Sequence, residues 1–238
     1  MVFVLHESGD ASASWLVEGL RNRGLTVDAV SAFDLGTADT WRHGIDATGT
    51  TVEIALRDGR RFDGAEPRAI VNRLNFIPLE TLRATAGADL GYAVQEMFAL
   101  YLSWLNAWPA TVINRPTPQG LSGNHRHPSV WATLAAKAEL PACAWRQGDG
   151  DPPDHAWAWK LAEATAFVVG EAVVLADVLP QDLADGCRAL CRLADLSLIG
   201  IDFARDASGQ WEMTGASPTP NVMLGGEPLI SALADALA

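Results

Sequence analysis

The most constraining feature of the sequence is an apolar strand that carries a single carboxylate. Residues 198–203 read Leu-Ile-Gly-Ile-Asp-Phe, residues 206–209 form an Asp-Ala-Ser-Gly turn, and residues 210–214 continue as a second strand. This pattern predicts a β-hairpin. A carboxylate inside an apolar strand is costly to bury unless it is paired, protonated or bound to a metal ion. Asp202 therefore either lies at an exposed end of the strand or has a catalytic role.

Glu212, on the second strand of this hairpin, is the other candidate catalytic carboxylate. We expect it to lie across the hairpin from Asp202 or its neighbours, where two carboxylates can share a metal ion or a proton. The alternative is a solvated side chain on the outer face of the sheet. The three cysteines of the sequence match no zinc or disulfide framework, so we assign no metal ligand.

The beginning of the chain predicts a βαβ unit. Residues 1–5 are an apolar strand, residues 11–23 a helix, and residues 25–30 a second strand. Residues 6–10 then lie at the carboxyl end of a parallel strand, where α/β proteins bind ligands. This loop has no glycine fingerprint, and a plain connection is the favoured interpretation.

The next segment predicts a loop, a hairpin and a further strand. Residues 34–49 are polar and rich in turn residues, which favours a loop. Residues 51–64 predict two edge strands around an Asp-Gly turn. A strand over residues 69–74 carries Arg73 near its end, as a candidate substrate-binding residue.

Residues 88–108 form the most apolar segment and predict a helix with apolar residues on all sides. Such a helix is buried on most sides or meets a partner, so a homo-oligomer or a protein partner is expected. Its aromatic residues favour core packing over a cofactor site. A strand over residues 110–114 follows.

A His-Arg-His run precedes the next predicted helix, which covers residues 129–139. His125 and His127 with Arg126 between them predict a binding site for a metal ion or an anion, and a solvated loop is the alternative. Arg126 and the positive end of the helix favour an anion. These three residues are candidate substrate-binding residues.

The charge of the chain limits its partners. A net charge of −12 and a pI near 4.7 argue against binding to nucleic acid or to an anionic membrane, which requires clustered lysine and arginine. The sequence shows neither a leader peptide nor a long apolar run without charges. A cytoplasmic location is therefore predicted.

Two parts of the sequence resemble the ATP-grasp ligases, which include the ribosomal-protein glutamate ligases and peptide-modifying ligases. The segment VVGEAVV, the helix PQDLADGCRALCRLADL and the ending IGIDFARDASGQWEMTGASPTPN match the C-terminal hairpin, helix and metal-binding strands of that family. The segment VINRPTPQGLSGNHRHPSVWATLAAKAELPACAWR matches an upstream strand, helix and strand. Arg73 resembles an arginine at the end of a strand in the N-terminal domain of the family.

The resemblance implies an α/β fold with an α+β C-terminal part. An N-terminal βαβ domain like the family's pre-ATP-grasp domain is expected over residues 1–108. A truncated ATP-grasp-like domain, built from an antiparallel sheet with helices, is expected over residues 109–238, with a linker at residues 148–155. About twenty residues separate Trp145 from Phe167, which leaves no room for the family's lid domain.

The resemblance also assigns positions to the nucleotide machinery, and several are altered. Asp202 stands for the acidic Mg-ATP ligand of the first strand, whereas Gly215 and Ser217 stand where the family has a glutamate and an asparagine. The nucleotide-binding lysine falls near His127. Phosphoryl transfer needs such cations and metal ligands to neutralise charge, so neither bound Mg-ATP nor any other cofactor is expected.

These departures favour a catalytically degenerate protein that acts as a binding or regulatory partner in a ligase or peptide-modification system. Its ligand would be a protein, a peptide or a small molecule. One alternative is an active ATP-dependent carboxylate-amine ligase that uses Mg-ATP, or another enzyme using the same cleft. Another is an ordinary α/β domain with a single continuous parallel sheet. An enzyme would draw on the candidate residues Asp202, Glu212, Arg73, His125, Arg126 and His127.

Overall fold

The structure is a computed structural model that describes residues 1–63, 67–78, 82–83, 86–143 and 161–238. The chain divides into two compact units, residues 1–124 with 237–238 and residues 125–236. The domain boundary was predicted after Trp108. The first unit extends beyond that residue, because the strand that follows Trp108 joins the sheet of this unit. The linker predicted at residues 148–155 lies outside the described residues.

The first unit contains a parallel sheet of four strands in the order β2-β1-β6-β7. Helix α1 connects β1 to β2, and its first turn is capped by the Asp10 side chain, which accepts a hydrogen bond from the backbone N–H of Ala13. The βαβ prediction is confirmed. The elements are β1 (Val2–His6), α1 (Ala11–Asn22), β2 (Val27–Ser31), β6 (Ala69–Asn72) and β7 (Thr111–Ile113).

The prediction of a loop over residues 34–49 is wrong. Ser31 and Asp34 form a capping box that begins the short helix α2 (Ala32–Gly36). A strand, β3 (Thr40–Asp46), then pairs with β4 (Gly49–Ala55), which pairs in turn with β5 (Arg61–Asp63) as predicted. Trp41 of β3 packs edge-to-face against aromatic residues of the long helix, a contact between segments far apart in sequence. This tertiary contact outweighs the polar composition of the segment.

The apolar helix is α3 (Leu90–Ala107), and it forms part of the core of the first unit. Tyr101 and Trp104 are fully buried, and both rings contact Trp41 in T-shaped geometry, with centroids 5.0 and 5.1 Å away. The prediction of core packing is therefore confirmed for this side of the helix.

The second unit is built on an antiparallel sheet in the order β11-β10-β8-β9. Helices α4 and α5 pack with Ile201, Phe203 and Met213 in one core, which also contains Cys187 and Cys191 of α5. The elements are α4 (Pro128–Lys137), β8 (Ala164–Val169), β9 (Ala172–Val174), α5 (Leu183–Leu193), β10 (Leu198–Arg205), β11 (Trp211–Ser217) and α6 (Gly226–Leu237).

The chain thus has an α/β fold with a parallel N-terminal sheet and an antiparallel C-terminal sheet, as predicted. A single continuous parallel sheet is excluded for the described residues. Within the same residues, the helices are too short or too polar to cross a bilayer.

Candidate functional site

The hairpin of β10 and β11 places Asp202 directly opposite Gly215. The pairing shifts by one residue between Asp202 and Phe203, which is a β-bulge on β11. Ser217 lies opposite Gly200, so Gly215 and Ser217 share the face of Asp202 because side chains alternate along a strand. This face is opposite to the one that carries Ile201 and Phe203, which pack with α4 and α5. The two positions that the resemblance assigns to metal ligands are therefore beside Asp202.

Asp202 is half-buried and has a specific partner. Thr165, its neighbour on β8, donates a hydrogen bond from Oγ1 to Asp202 Oδ1 over 2.8 Å. Burial raises the pKa of Asp202 above its usual value, although the Thr165 bond favours the charged form and opposes this shift. The carboxyl group of Asp202 therefore binds a proton more readily than an exposed aspartate does.

Glu212 lies opposite Ala204 and not opposite Asp202. The thiol of the buried Cys143 donates a hydrogen bond to Glu212 Oε1 over 2.8 Å. The two carboxylates therefore share the hairpin but have different partners. Among the residues that the structure describes, no group of three histidine, cysteine, aspartate or glutamate side chains is arranged to hold a metal ion.

The side chains at the three positions that the resemblance assigns to metal ligands make a poor donor set for a magnesium-bound nucleotide. Magnesium in such sites is held by carboxylates together with phosphate oxygens. Here Gly215 provides no side chain, and the Ser217 hydroxyl already accepts a hydrogen bond from the backbone N–H of Thr219 over 3.1 Å. Asp202 is left as the one acidic residue at the three matched positions.

The His-Arg-His run has structural contacts at the ends of two helices. His127 is the N-cap of α4, and its Nδ1 lies 3.3 Å from the Ser129 backbone nitrogen and 2.9 Å from the Ser129 hydroxyl. Arg126 donates to the carbonyl of Ala194 over 2.8 Å, at the C-terminus of α5, and lies over the Trp131 ring. A cation at a helix C-terminus is stabilising. His125 is exposed.

Arg73 lies in the first unit, just after β6, and is almost completely buried. Its Nε donates to Asp10 Oδ2 over 2.9 Å and its guanidinium also reaches Asp10 Oδ1 over 3.3 Å. Burial opposes ionisation of Asp10, but the hydrogen bond and charge of Arg73 and the Ala13 N–H outweigh burial and lower its pKa. Asp10 was not predicted as a site residue, although residues 6–10 were expected at the carboxyl end of β1.

Comparison with solved structures identifies the fold of this chain. A scan against protein-family models gave no match, and a search of curated proteins gave no significant relative. A search of solved structures gave strong matches. The macrocyclase MdnC bound with precursor peptide MdnA from Microcystis aeruginosa MRC is 12% identical, with a TM-score of 0.74 over 100% of this chain and 99% of that chain.

Two further structures have the same architecture. The RiPP-associated ATP-grasp ligase of Chryseobacterium gregarium, in complex with ADP and with a leader and core peptide, is 12% identical with a TM-score of 0.72, over 99% of this chain and 96% of that chain. The ATP-grasp ligase PsnB complexed with minimal precursor is 15% identical with a TM-score of 0.68, over 99% and 97%. The sequence resemblance is thereby confirmed, and this chain has the fold of the ATP-grasp superfamily.

Proposed function

We propose that this protein is a catalytically degenerate ATP-grasp protein that binds a peptide and acts as a partner in a peptide-modification system. The observation that carries the proposal is Gly215, which lies directly opposite Asp202 where the resemblance expects a glutamate. An ATP-dependent ligase must neutralise the charge of the transferred phosphoryl group. At the three matched positions, one half-buried carboxyl group, a glycine and a serine provide few metal ligands for neutralising that charge.

The contacts of the candidate cations support the same conclusion. Arg126 is bonded to a helix end, and Arg73 forms a buried ion pair with Asp10. His127, which stands near the position of the family's first nucleotide lysine, caps α4. Each of these side chains already stabilises the fold where it lies, so its use for phosphate binding would break a stabilising contact.

The structural neighbours support a peptide as the ligand. MdnC is bound with a precursor peptide, and the Chryseobacterium ligase is in complex with a leader and core peptide. The acidic character of this chain disfavours nucleic acid as a partner. We expect the protein to act in the cytoplasm, either as a homo-oligomer or with a protein partner.

An active enzyme is the second candidate, because burial raises the pKa of Asp202. A carboxyl group in this state is typical of general acid-base sites. In that case Asp202 and Glu212 would be catalytic and Mg-ATP would be the cofactor of a ligase. The substrate-binding roles of Arg73, His125, Arg126 and His127 stay predictions.

Calorimetric titration with Mg-ATP and with a non-hydrolysable analogue tests the proposal. We expect no binding in the micromolar range and no release of phosphate by the natural protein. The control is the double variant Gly215→Glu with Ser217→Asn, which restores the family's ligands. No atom outside the adjoining residues lies within 4 Å of a Cβ built at Gly215, so a side chain at this position begins in open space. Micromolar binding with ATP consumption by the natural protein would refute the degenerate function.

A further inference from the structure

A cleft of about 440 Å³ lies in the first unit, at the carboxyl end of the parallel sheet. One wall is formed by residues 75–77, which follow β6, and the other by α3. In this sheet β1 has β2 on one side and β6 on the other, so the wall lies next to the point where the strand order reverses. Open α/β sheets bind ligands at such a switch point. The volume is within the range of ligand pockets, about 300–1,000 Å³.

The wall of residues 75–77 is held in place by β1. The carboxylate of Glu7, just beyond β1, accepts hydrogen bonds from the backbone N–H groups of Asn75 over 2.8 Å and Phe76 over 2.9 Å. The Ser122 hydroxyl donates to Asn75 Oδ1 over 3.4 Å. A wall fixed in this way is preformed, which lowers the entropy cost of binding.

The interior of the cleft is apolar. Ile77 and Leu121 are buried beneath it, and Val94, Phe98 and Leu102 of α3 are half-buried along its side. Among the residues that the structure describes, those that line the cleft are uncharged. A charged group would lose its hydration there without a counter-charge, so the buried part of a ligand must be uncharged and apolar.

The exposed side of the cleft has different chemistry. Phe76 is 70% exposed, so its ring is available to contact a bound ligand. Gln95, also exposed, carries both a hydrogen-bond donor and an acceptor in its amide, which matches a peptide group. The cleft is concave, which suits a small or extended ligand. A stable interface between two copies of the chain would need about 800 Å² from each partner, so a second copy is not the expected occupant.

We infer that this cleft binds an extended peptide through a bulky apolar side chain, with the peptide backbone beside Gln95. The inference rests on the proposed function for the identity of its ligand, and it assigns the recognition of that peptide to the first unit. The apolar side chain fills the space between Phe98 and Ile77, and Phe76 covers it from the solvent side.

Photo-crosslinking of the full chain tests this inference. The probe is the tetrapeptide acetyl-Gly-Bpa-Leu-Gly-amide, in which Bpa is benzoyl-phenylalanine, and the competitors are the same peptide with Phe-Leu or with Ser-Ser at the central positions. We expect labelling at residues 75–77 and 94–102, competed by the Phe-Leu peptide and not by the Ser-Ser peptide. Ala99→Trp places an indole in the cleft, and we expect it to reduce labelling at least tenfold.

The matched control is Ala136→Trp, the same change at an exposed alanine of α4 outside the cleft. It should leave labelling unchanged, and circular dichroism should show that both variants are folded. Saturable labelling outside the cleft that survives Ala99→Trp would overturn this inference alone and leave the proposed function standing. Equal competition by the Ser-Ser peptide, or no saturable labelling, would also overturn it, whereas the proposed function is judged by the nucleotide titration.

Discussion

Replacement of Asp10 by asparagine tests whether Arg73 is a structural residue. The Arg73 side chain is 5% exposed and that of Asp10 is 16% exposed, so the variant removes the negative charge from a buried ion pair. Removing one partner of a buried ion pair costs about 3–5 kcal/mol. The partial exposure of Asp10 lets water solvate the charge, so we expect a loss of about 3 kcal/mol in the free energy of unfolding. Asparagine still caps α1, so this loss does not include the cap.

The effect should depend on pH in a defined direction. Because the pKa of Asp10 is lowered in the folded state, its contribution to stability is present above the unfolded pKa of about 3.9 and is lost as the pH falls through the folded pKa. The difference in unfolding free energy between the natural protein and the Asp10→Asn variant should therefore be largest near neutral pH. It should narrow in acid, where both proteins lack the negative charge.

Urea unfolding followed by circular dichroism from pH 3 to 7 measures these differences, and hydrogen exchange of the β1 amides assigns them to the first unit. Asp10→Ala is expected to lose about 1 kcal/mol more, because the cap is also removed. The double variant Asp10→Asn with Arg73→Met should recover most of the loss. A single variant within about 0.5 kcal/mol of the natural protein would refute the reasoning and leave Arg73 available to a substrate.

Three further predictions concern the second unit. Gly200→Ala should destabilise the protein by about 1–3 kcal/mol in urea unfolding, because its Cβ would clash with Pro220 Cβ, whereas the control Gly215→Ala adds no such contact. Burial raises the pKa of both α5 cysteines to about 12, so a disulfide reagent at pH 8 should react with them only after unfolding. Because the pKa of Asp202 is raised in the folded protein, the protonated carboxyl group favours folding at low pH, and this contribution is lost as the pH rises. Asp202→Asn should therefore increase the melting temperature at pH 7 but not at pH 3. Rapid labelling of the native protein, or an unchanged melting temperature, would contradict the corresponding prediction.

Local patterns predicted much of the fold. The apolar run, the turn at residues 206–209 and the second strand are sufficient for the hairpin of β10 and β11, because each signal lies within a few residues. Cys187 and Cys191 lie one helical turn apart and are both buried in α5, as expected for residues on one face of a helix. Strand β3 was missed because its pairing with β4 and the packing of Trp41 on α3 are contacts between distant segments.

The roles of the candidate site residues were harder to predict than the helices and strands. A guanidinium or carboxylate in a loop has the same sequence signal whether it binds a ligand or another part of the chain. Arg126 was predicted to favour an anion, and the structure places it on the carbonyl of Ala194. Arg73 was predicted as a substrate residue, and the structure pairs it with Asp10. The predicted roles of both arginines in binding stay predictions.

The sequence by itself determined the βαβ unit at the start of the chain, the hairpin with a carboxylate in its apolar strand, and the glycine and serine at positions where the resemblance expects metal ligands. These properties depend on the identity and spacing of nearby residues. Only the tertiary structure decided that Gly215 lies opposite Asp202, that Glu212 bonds to Cys143, and that a cleft opens beside α3. Such contacts join residues far apart in the chain, and they arise from strand register and side-chain packing, which the spacing of residues along the sequence does not specify.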